Sequence, residues 1–388
     1  MSNPTTIAVV HASVGSGHRI AAESVAAQLR LLPPQARVEV LDVLDFGAVR
    51  ISGNAATGAF TGPTAPLYNT LWGNELFGRA TMAAARPPLA LVYRRFSTWL
   101  ADNNVSAIVA THALAANLAV QATRAGSLAG VPVVAVATDF GLHGFWPRRG
   151  LSRFCVADDM EAETLVGRGT PDAHIVVTGI PVRAQFTVAV DRAAARERFD
   201  LGRNHRIVLA LAGATQRGPY AKFKASLAVS LPAAASLPDT TVAVVTGRDE
   251  TFADELRTRV AGFGTTNVRV LGYVEDIAGI MAAADLGVCK PGGLVTAECI
   301  AVGLPMVLMG PVVGQERANV RSLTVAGAAV FEEDPRRLAE IVRKTLARPE
   351  ALSRMREKSL ALARPGAARD VARVVVGLLA EGAKREAR

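Results

Sequence analysis

Cysteine is scarce in this chain. Cys155, Cys289 and Cys299 are the only three in 388 residues, too few and too scattered for a disulfide framework or for the paired ligands of a structural zinc site. A reducing, cytoplasmic setting is the expectation. Aromatic residues make up 5% against 50% hydrophobic residues, with Ala, Val, Leu and Gly dominant. That balance disfavours a β-sandwich with aromatic-rich strands and favours layered α/β structure. No run of about 18 uncharged apolar residues is present for a membrane span. The start, MSNPTTIAVV, has neither the charged segment nor the long apolar core of a secretion signal, so no such leader is expected. GxxxxGK followed by Ser or Thr, GxSxG and HExxH are all absent, which removes the main support for phosphate-loop hydrolases, elbow-type serine hydrolases and zinc proteases.

What is present points to two domains. A chain of 388 residues exceeds what one hydrophobic core usually organises. Apolar, β-branched runs alternate with alanine-rich helical patterns almost throughout, the pattern of parallel sheets with crossover helices. The first series of strands is Ile7–Val10, Val38–Asp42, Ala107–Ala110, Val133–Ala137, Phe154–Val156 and Ile175–Thr178. A second series follows at Ile207–Ala212, Thr241–Thr246, Val268–Leu271, Leu286–Cys289 and Pro305–Leu308. The boundary is placed near Thr187, giving domains 1–186 and 187–365, and a basic amphipathic helix over 366–388. Between Ile51 and Leu100 the rhythm breaks into glycines, prolines and the aromatics Tyr68, Trp72 and Phe77, read as a mobile or surface insertion followed by a helix. Those aromatics are either core or a membrane-facing region.

Net charge is +9, and from Arg336 onward 14 Lys and Arg stand against 6 Asp and Glu. A surface near acidic lipid and an ordinary solvated helix face both account for this surplus. No aromatic interleaving or recognised module accompanies it, so nucleic acid is not an expected partner. Val371, Val374, Val375, Leu378 and Leu379 recur at helical spacing, so the final helix packs an apolar stripe on something.

In two doubly wound domains, ligands bind where strand C-termini end. The loop VHASVGSGHR after the first strand opens a helix, and its glycines bare backbone N–H groups. Gly15-x-Gly17 lacks the third glycine of the dinucleotide fingerprint, although Asp42 and Asp45 lie where a ribose-binding acid would sit, which keeps a dehydrogenase reading open. Asp158-Asp159 reads as helix capping rather than metal ligation. In the second half, Lys290-Pro291-Gly292-Gly293-Leu294-Val295-Thr296-Ala297-Glu298 ends a strand in a turn and opens a helix whose N-terminus suits a phosphate, with Glu298 able to accept two ribose hydroxyls. One strand later, Gln315, Glu316 and Asn319 offer groups suited to sugar hydroxyls.

These residues carry a resemblance. Gly272-Tyr273-Val274, KPGG, Glu298 and GQE with Asn319 resemble the C-terminal domain of family 28 glycosyltransferases. The GSGH loop, Thr138-Asp139-Phe140-Gly141-Leu142-His143-Gly144-Phe145-Trp146 and Gly179-Ile180-Pro181-Val182 resemble its monogalactosyldiacylglycerol synthase and processive diacylglycerol glucosyltransferase branch. Ser16 stands where that branch usually has glycine, Cys289 where it has Thr or Ser, and Cys299 where it has Ala. The resemblance implies an α/β chain of GT-B fold, with two Rossmann-like domains facing a cleft. It implies metal-independent, inverting transfer from a UDP-sugar, which is a co-substrate rather than a cofactor. The acceptor would be diacylglycerol or a related lipid at an anionic membrane surface, bound by residues 1–186, with the donor bound by 187–365. The protein would be a monomer or weak oligomer, peripheral on the inner face of the cell membrane.

By the same resemblance, Glu298 holds the ribose, while Lys290, Gly292, Gly293, Leu294, Thr296 and the Gly213 loop hold the diphosphate. Tyr273 and Val274 complete the donor site, and Gln315, Glu316 and Asn319 take the transferred sugar. On the acceptor side stand Gly15, Gly17 and His143. Inversion needs a base for the attacking hydroxyl. His18 is the candidate, with Asp139 either orienting it or acting as the base itself. His11, His112, His174 and His205 read as packing or surface residues, and the cysteines as small core residues. A UDP-sugar epimerase of the same shape, a non-catalytic sugar-binding relic and a transferase acting on a soluble aglycone remain the alternatives.

Overall fold

The computed structural model describes residues 5–33, 36–48, 74–124, 126–202, 205–213, 219–264, 266–310, 312, 314 and 316–386. The chain forms two compact units, Met1–Arg183 with Arg364–Arg388, and Ala184–Ala363. It therefore leaves the first unit at Arg183 and comes back to it at Arg364, so the final helix belongs to the first unit and not to a separate appendage.

The first unit starts with β1 (Thr6–His11), α1 (Ser16–Leu29) and β2 (Arg37–Asp42). After α2 (Glu75–Val92) and α3 (Arg94–Asp102) come β3 (Val105–Ala110), α4 (Ala113–Ala122), β4 (Val133–Val136), β5 (Arg153–Val156), α5 (Asp159–Gly167) and β6 (Ile175–Val177). All six strands are parallel in the order β2-β1-β3-β4-β5-β6. Side chains alternate across the pleat. Ile7 and Val9 join the core under α1, while Ala8 and Val10 join the other core with Phe96 and Leu100. Of the interrupted stretch, Tyr68 and Trp72 lie outside the described residues, whereas Phe77 is exposed on α2.

The second unit runs through α6 (Arg192–Arg198), β7 (Arg206–Leu211), α7 (Pro219–Ala235), β8 (Thr240–Val245), α8 (Glu250–Ala261), β9 (Val268–Leu271) and α9 (Ile277–Ala283). It continues with β10 (Leu286–Cys289), α10 (Gly293–Ala301), β11 (Met306–Met309), α11 (Glu316–Val325), β12 (Ala329–Glu332), α12 (Leu338–Leu346) and α13 (Pro349–Leu362). Its six parallel strands are ordered β12-β11-β10-β7-β8-β9. β12 is not anticipated from the pattern, because AVFE is four residues long and ends on a buried glutamate. The chain then returns as α14 (Ala367–Glu386), whose Val371, Ala372 and Val375 are buried with Ile7, Val9 and Val25 of the first sheet and α1. The apolar stripe of the basic helix is thereby used inside the protein.

Each sheet has one place where strand order reverses, between β1 and β3 in the first and between β7 and β10 in the second. Loops leaving neighbouring strands there diverge to opposite faces and open a crevice.

Candidate active site

At the first reversal the loops after β1 and β3 meet. Gly15, at φ +90° and ψ 160°, caps α1 in a backbone region open essentially to glycine alone, and a Cβ there would meet nothing within 4 Å. The helix begins one residue later with no side-chain cap and no acidic residue in its first turn, and carries Gly17 and His18. His18 Nδ1 lies 2.9 Å from the Thr111 carbonyl oxygen and 2.9 Å from Thr138 Oγ1, while Thr111 Oγ1 donates back to the His18 carbonyl at 2.9 Å. A carbonyl only accepts, so Nδ1 carries the proton and Nε2 carries the lone pair. Burial pushes the His18 pKa down to about 4, so the ring is neutral near pH 7.

His112 stands edge-on to His18 with ring centroids 4.6 Å apart. It is the N-cap of α4, its Nδ1 accepting from Leu114 N–H at 3.1 Å, so in the neutral ring Nε2 is the donor. His143 Nδ1 similarly accepts from Phe145 N–H at 3.3 Å. Burial, reinforced by the nearby His18, holds His143 at about 3 and His112 well below the ordinary histidine value. Among the described residues no three His, Cys, Asp or Glu side chains converge to hold a metal ion. Asp139 is half-buried beside Thr138, and Thr111 and Thr138 both meet His18 at Nδ1. The Asp42 carboxylate accepts from Leu44 N–H at 3.0 Å and Ser13 N–H at 3.3 Å, an engagement that braces the loop ahead of Gly15.

The segment that carries Thr138, Asp139 and His143 is held from outside. Arg168 Nη1 donates to the Leu142 carbonyl at 3.0 Å, and Arg168 Nε lies 3.0 Å from Glu75, which also pairs with Arg148. Gly144 packs so tightly on the start of α2 that a Cβ would lie 2.5 Å from the Glu75 carbonyl oxygen. Glu161 of α5 is buried, faces the Leu142 backbone, and is pushed up to about 7 by that burial.

In the second unit the loop after β10 makes a tight turn, Gly292 N–H to Lys290 O at 2.8 Å, and opens α10 at Gly293 with Gly292 as an uncapped N-cap. Its first-turn amides, from Gly293 and Leu294 onward, have no intrahelical acceptor. Thr296 is fully buried, and its hydroxyl donates to Gly292 O at 2.8 Å and Gly293 O at 3.0 Å, so it fastens this turn. Lys290 and Glu316 form a buried ion pair. Asn319 Nδ2 donates to Pro291 O at 2.9 Å, which ties α11 to the same turn. Glu298 is 3% exposed on α10. Gly213 follows β7 and lies against Gly247, where a Cβ would be 3.0 Å from the Gly213 Cα. Tyr273 is 53% exposed after β9, with the Arg248 guanidinium 4.3 Å above its ring and Val274 half-buried next to it. Gln315 lies outside the described residues.

The sequence reading missed Thr111, Thr138 and His112 as neighbours of His18, and Gly247 and Arg248 as neighbours of Gly213 and Tyr273. Each lies within three residues of the C-terminal end of a strand, and that position is the available signal.

Residues 18–182 match the family described as monogalactosyldiacylglycerol (MGDG) synthase, and residues 222–371 match the glycosyltransferase family 28 C-terminal domain. A processive diacylglycerol beta-glucosyltransferase of Bacillus licheniformis is 33% identical over 234 residues, covering 60% of this chain and 59% of that protein. The chain thus spans about three fifths of the length of the curated relatives it matches, 59% and 62% for two of them. Among solved structures, Acinetobacter baumannii MurG aligns over 96% of this chain and 100% of its own at TM-score 0.62 and 18% identity. A Neisseria meningitidis UDP-GlcNAc 2-epimerase bound to UDP-GlcNAc aligns over 97% and 100% at TM-score 0.57 and 12% identity. These likenesses show a GT-B fold.

Proposed function

We propose that this chain, which joins a monogalactosyldiacylglycerol synthase domain to a glycosyltransferase family 28 C-terminal domain, transfers a hexose from a UDP-sugar to the free hydroxyl of diacylglycerol with inversion at the anomeric carbon. The observation that carries the reading is the state of His18: Nδ1–H is committed to the Thr111 carbonyl, and Nε2 is left with its lone pair. In the proposed step the acceptor hydroxyl loses its proton to Nε2 as its oxygen bonds to the anomeric carbon. The bond from that carbon to the β-phosphate oxygen breaks, and its electron pair leaves with UDP. A depressed pKa makes His18 a weak base but leaves it wholly in the base form at neutral pH. The uncapped start of α10 is suited to the negative charge that grows on the leaving diphosphate, a role that asks for no metal ion. Glu298 takes the ribose, and Glu316, with Lys290 as its counter-charge, takes the sugar.

The test is transfer from radiolabelled UDP-glucose, UDP-galactose and UDP-GlcNAc to vesicles containing diacylglycerol. No lipid product with any donor overturns the lipid reading, and an epimer formed from UDP-sugar alone overturns transfer. His18→Ala is expected to lower transfer by about 100-fold or more while UDP affinity stays within about twofold. Surviving transfer would remove His18 as the base.

A further inference from the structure

At the N-terminal ends of β7 and β10, three guanidiniums gather around one carboxylate. Asp285, the residue before β10, accepts from Ile207 N–H at 2.7 Å and from Arg196 Nη2 at 2.8 Å, and it pairs with Arg192. Arg192 and Arg196 belong to α6, and the third guanidinium, Arg356, belongs to α13. Arg196 is fully committed, since its Nε also donates to Ala283 O at 3.0 Å and its Nη1 to His205 O at 3.3 Å. The other two share a single oxygen: Arg192 Nη2 and Arg356 Nη2 donate to the Ala284 carbonyl at 3.3 and 3.2 Å. Two like charges therefore converge on one uncharged acceptor. Burial first, and the Arg192 charge next, push the Arg356 pKa below the ordinary arginine value. Asp191, beside Arg192 in the chain, is exposed and caps α6 through Ala193 and Ala194 N–H.

One carboxylate neutralises one of these three charges, and the carbonyls that end α9 carry only the partial charge of a helix C-terminus. A guanidinium has five N–H donors. Among the described residues Arg356 donates through Nη2 alone, and Arg192 Nε is buried without a partner. A buried donor with no acceptor costs free energy. Guanidinium forks match the paired oxygens of a phosphate, and a net surplus of positive charge suits a dianion. We infer that Arg192 and Arg356 form a binding site for a phosphate dianion, either inorganic phosphate or the end of a phosphomonoester. The site lies at the opposite end of β10 from the Lys290–Gly293 turn assigned to the donor, so it is independent of the transfer reading. Bound phosphate links α6 to α13 and both to the first residues of β7 and β10.

The test is calorimetric titration of the full chain with inorganic phosphate and with phenyl phosphate, at an ionic strength held constant with chloride so that screening does not change. Saturable binding of at least one of them is expected in the parent, and the tighter of the two names the source. Arg356→Gln is expected to weaken it by at least about tenfold. Arg356→Lys, which keeps the charge without the planar fork, is expected to lose less. Saturating UDP is expected to leave phosphate affinity within about twofold. No saturable binding by the parent overturns the inference, and so does equal affinity in Arg356→Gln. Loss of phosphate binding under UDP overturns it as well, because the anion would then occupy the donor site. Should Arg356→Gln fail to fold, hydrogen exchange of the parent decides: phosphate is expected to slow exchange in peptides from α6 and α13, and unchanged exchange there overturns the site. None of these readouts uses a donor sugar or a lipid, so failure of the transfer assay leaves the phosphate site standing.

Discussion

The carbonyl of Thr111 decides which nitrogen of His18 is basic, and the absence of charge on three packed histidines has a consequence for acid stability. His18, His112 and His143 all have pKa values depressed by burial, to about 4 for His18 and about 3 for His143. In the unfolded chain each titrates near 6.5. Between those values the unfolded state binds protons that the folded state refuses, so stability rises with pH across the window. The contribution is complete above about pH 6.5 and is lost as pH falls toward 4 and below. His112→Asn tests this at one residue. The asparagine oxygen can take over the cap to Leu114 N–H, so stability at pH 8 is expected to stay within about 1 kcal/mol of the parent. With one fewer depressed group, urea midpoints between pH 6.5 and 4 should fall less steeply than in the parent. Equal slopes would mean that His112 takes up its proton in the folded state.

At the scale of elements, the segment from Thr138 to Trp146 is held by supports outside it, from Arg168, Asn117 and the start of α2. Gly144 has no room for a side chain: a Cβ would lie 2.5 Å from the Glu75 carbonyl oxygen and 2.9 Å from its Cα, both backbone atoms that a rotamer change cannot move. Gly144→Ala must therefore push α2 and this segment apart, at a cost of about 1–3 kcal/mol. Transfer is expected to drop while UDP binding, which we propose for the other unit, is kept; calorimetric titration with UDP beside the transfer assay separates the two. If both fall together, the substitution unfolds the protein rather than moving the segment. This contact also shows where sequence reading stopped. β1 to β11 were legible because buried parallel strands are short apolar runs between turn residues, and KPGG was legible because a Pro-Gly-Gly turn before a helix is a local pattern. The packing of Gly78 on Gly144, the bond from Thr111 to His18 and the stacking of Arg248 on Tyr273 were not, because each joins residues far apart in the chain that only the topology brings together.

At the scale of the molecule, the first unit is discontinuous and the second is not. The outgoing chain passes Gly179 at φ +86°, and a Cβ there would lie 2.6 Å from the Cβ of Arg364 on the returning chain, so exit and return are packed together. Ala367 to Glu386 then form α14, which closes one face of the first sheet: Val371 and Val375 are fully buried beside Ile7, Val9 and Val25. Each such valine contributes about 1.5–3 kcal/mol by burial, against a total stability for a domain of about 5–15 kcal/mol. Truncation after Ala363 therefore removes a large share of what holds the first unit and leaves the contiguous chain of the second, Ala184–Ala363, whole. Hydrogen exchange read by mass spectrometry resolves the two. Peptides from β1 and β3 should lose most of their protection in the truncated chain, while peptides from β7 and β10 should exchange as in the parent. UDP binding should persist, since the residues assigned to the donor lie in Ala184–Ala363. Continued protection of β1 would show that the sheet stands without α14. Equal loss in both units would show that their stabilities are coupled in a way that the packing within each unit does not account for.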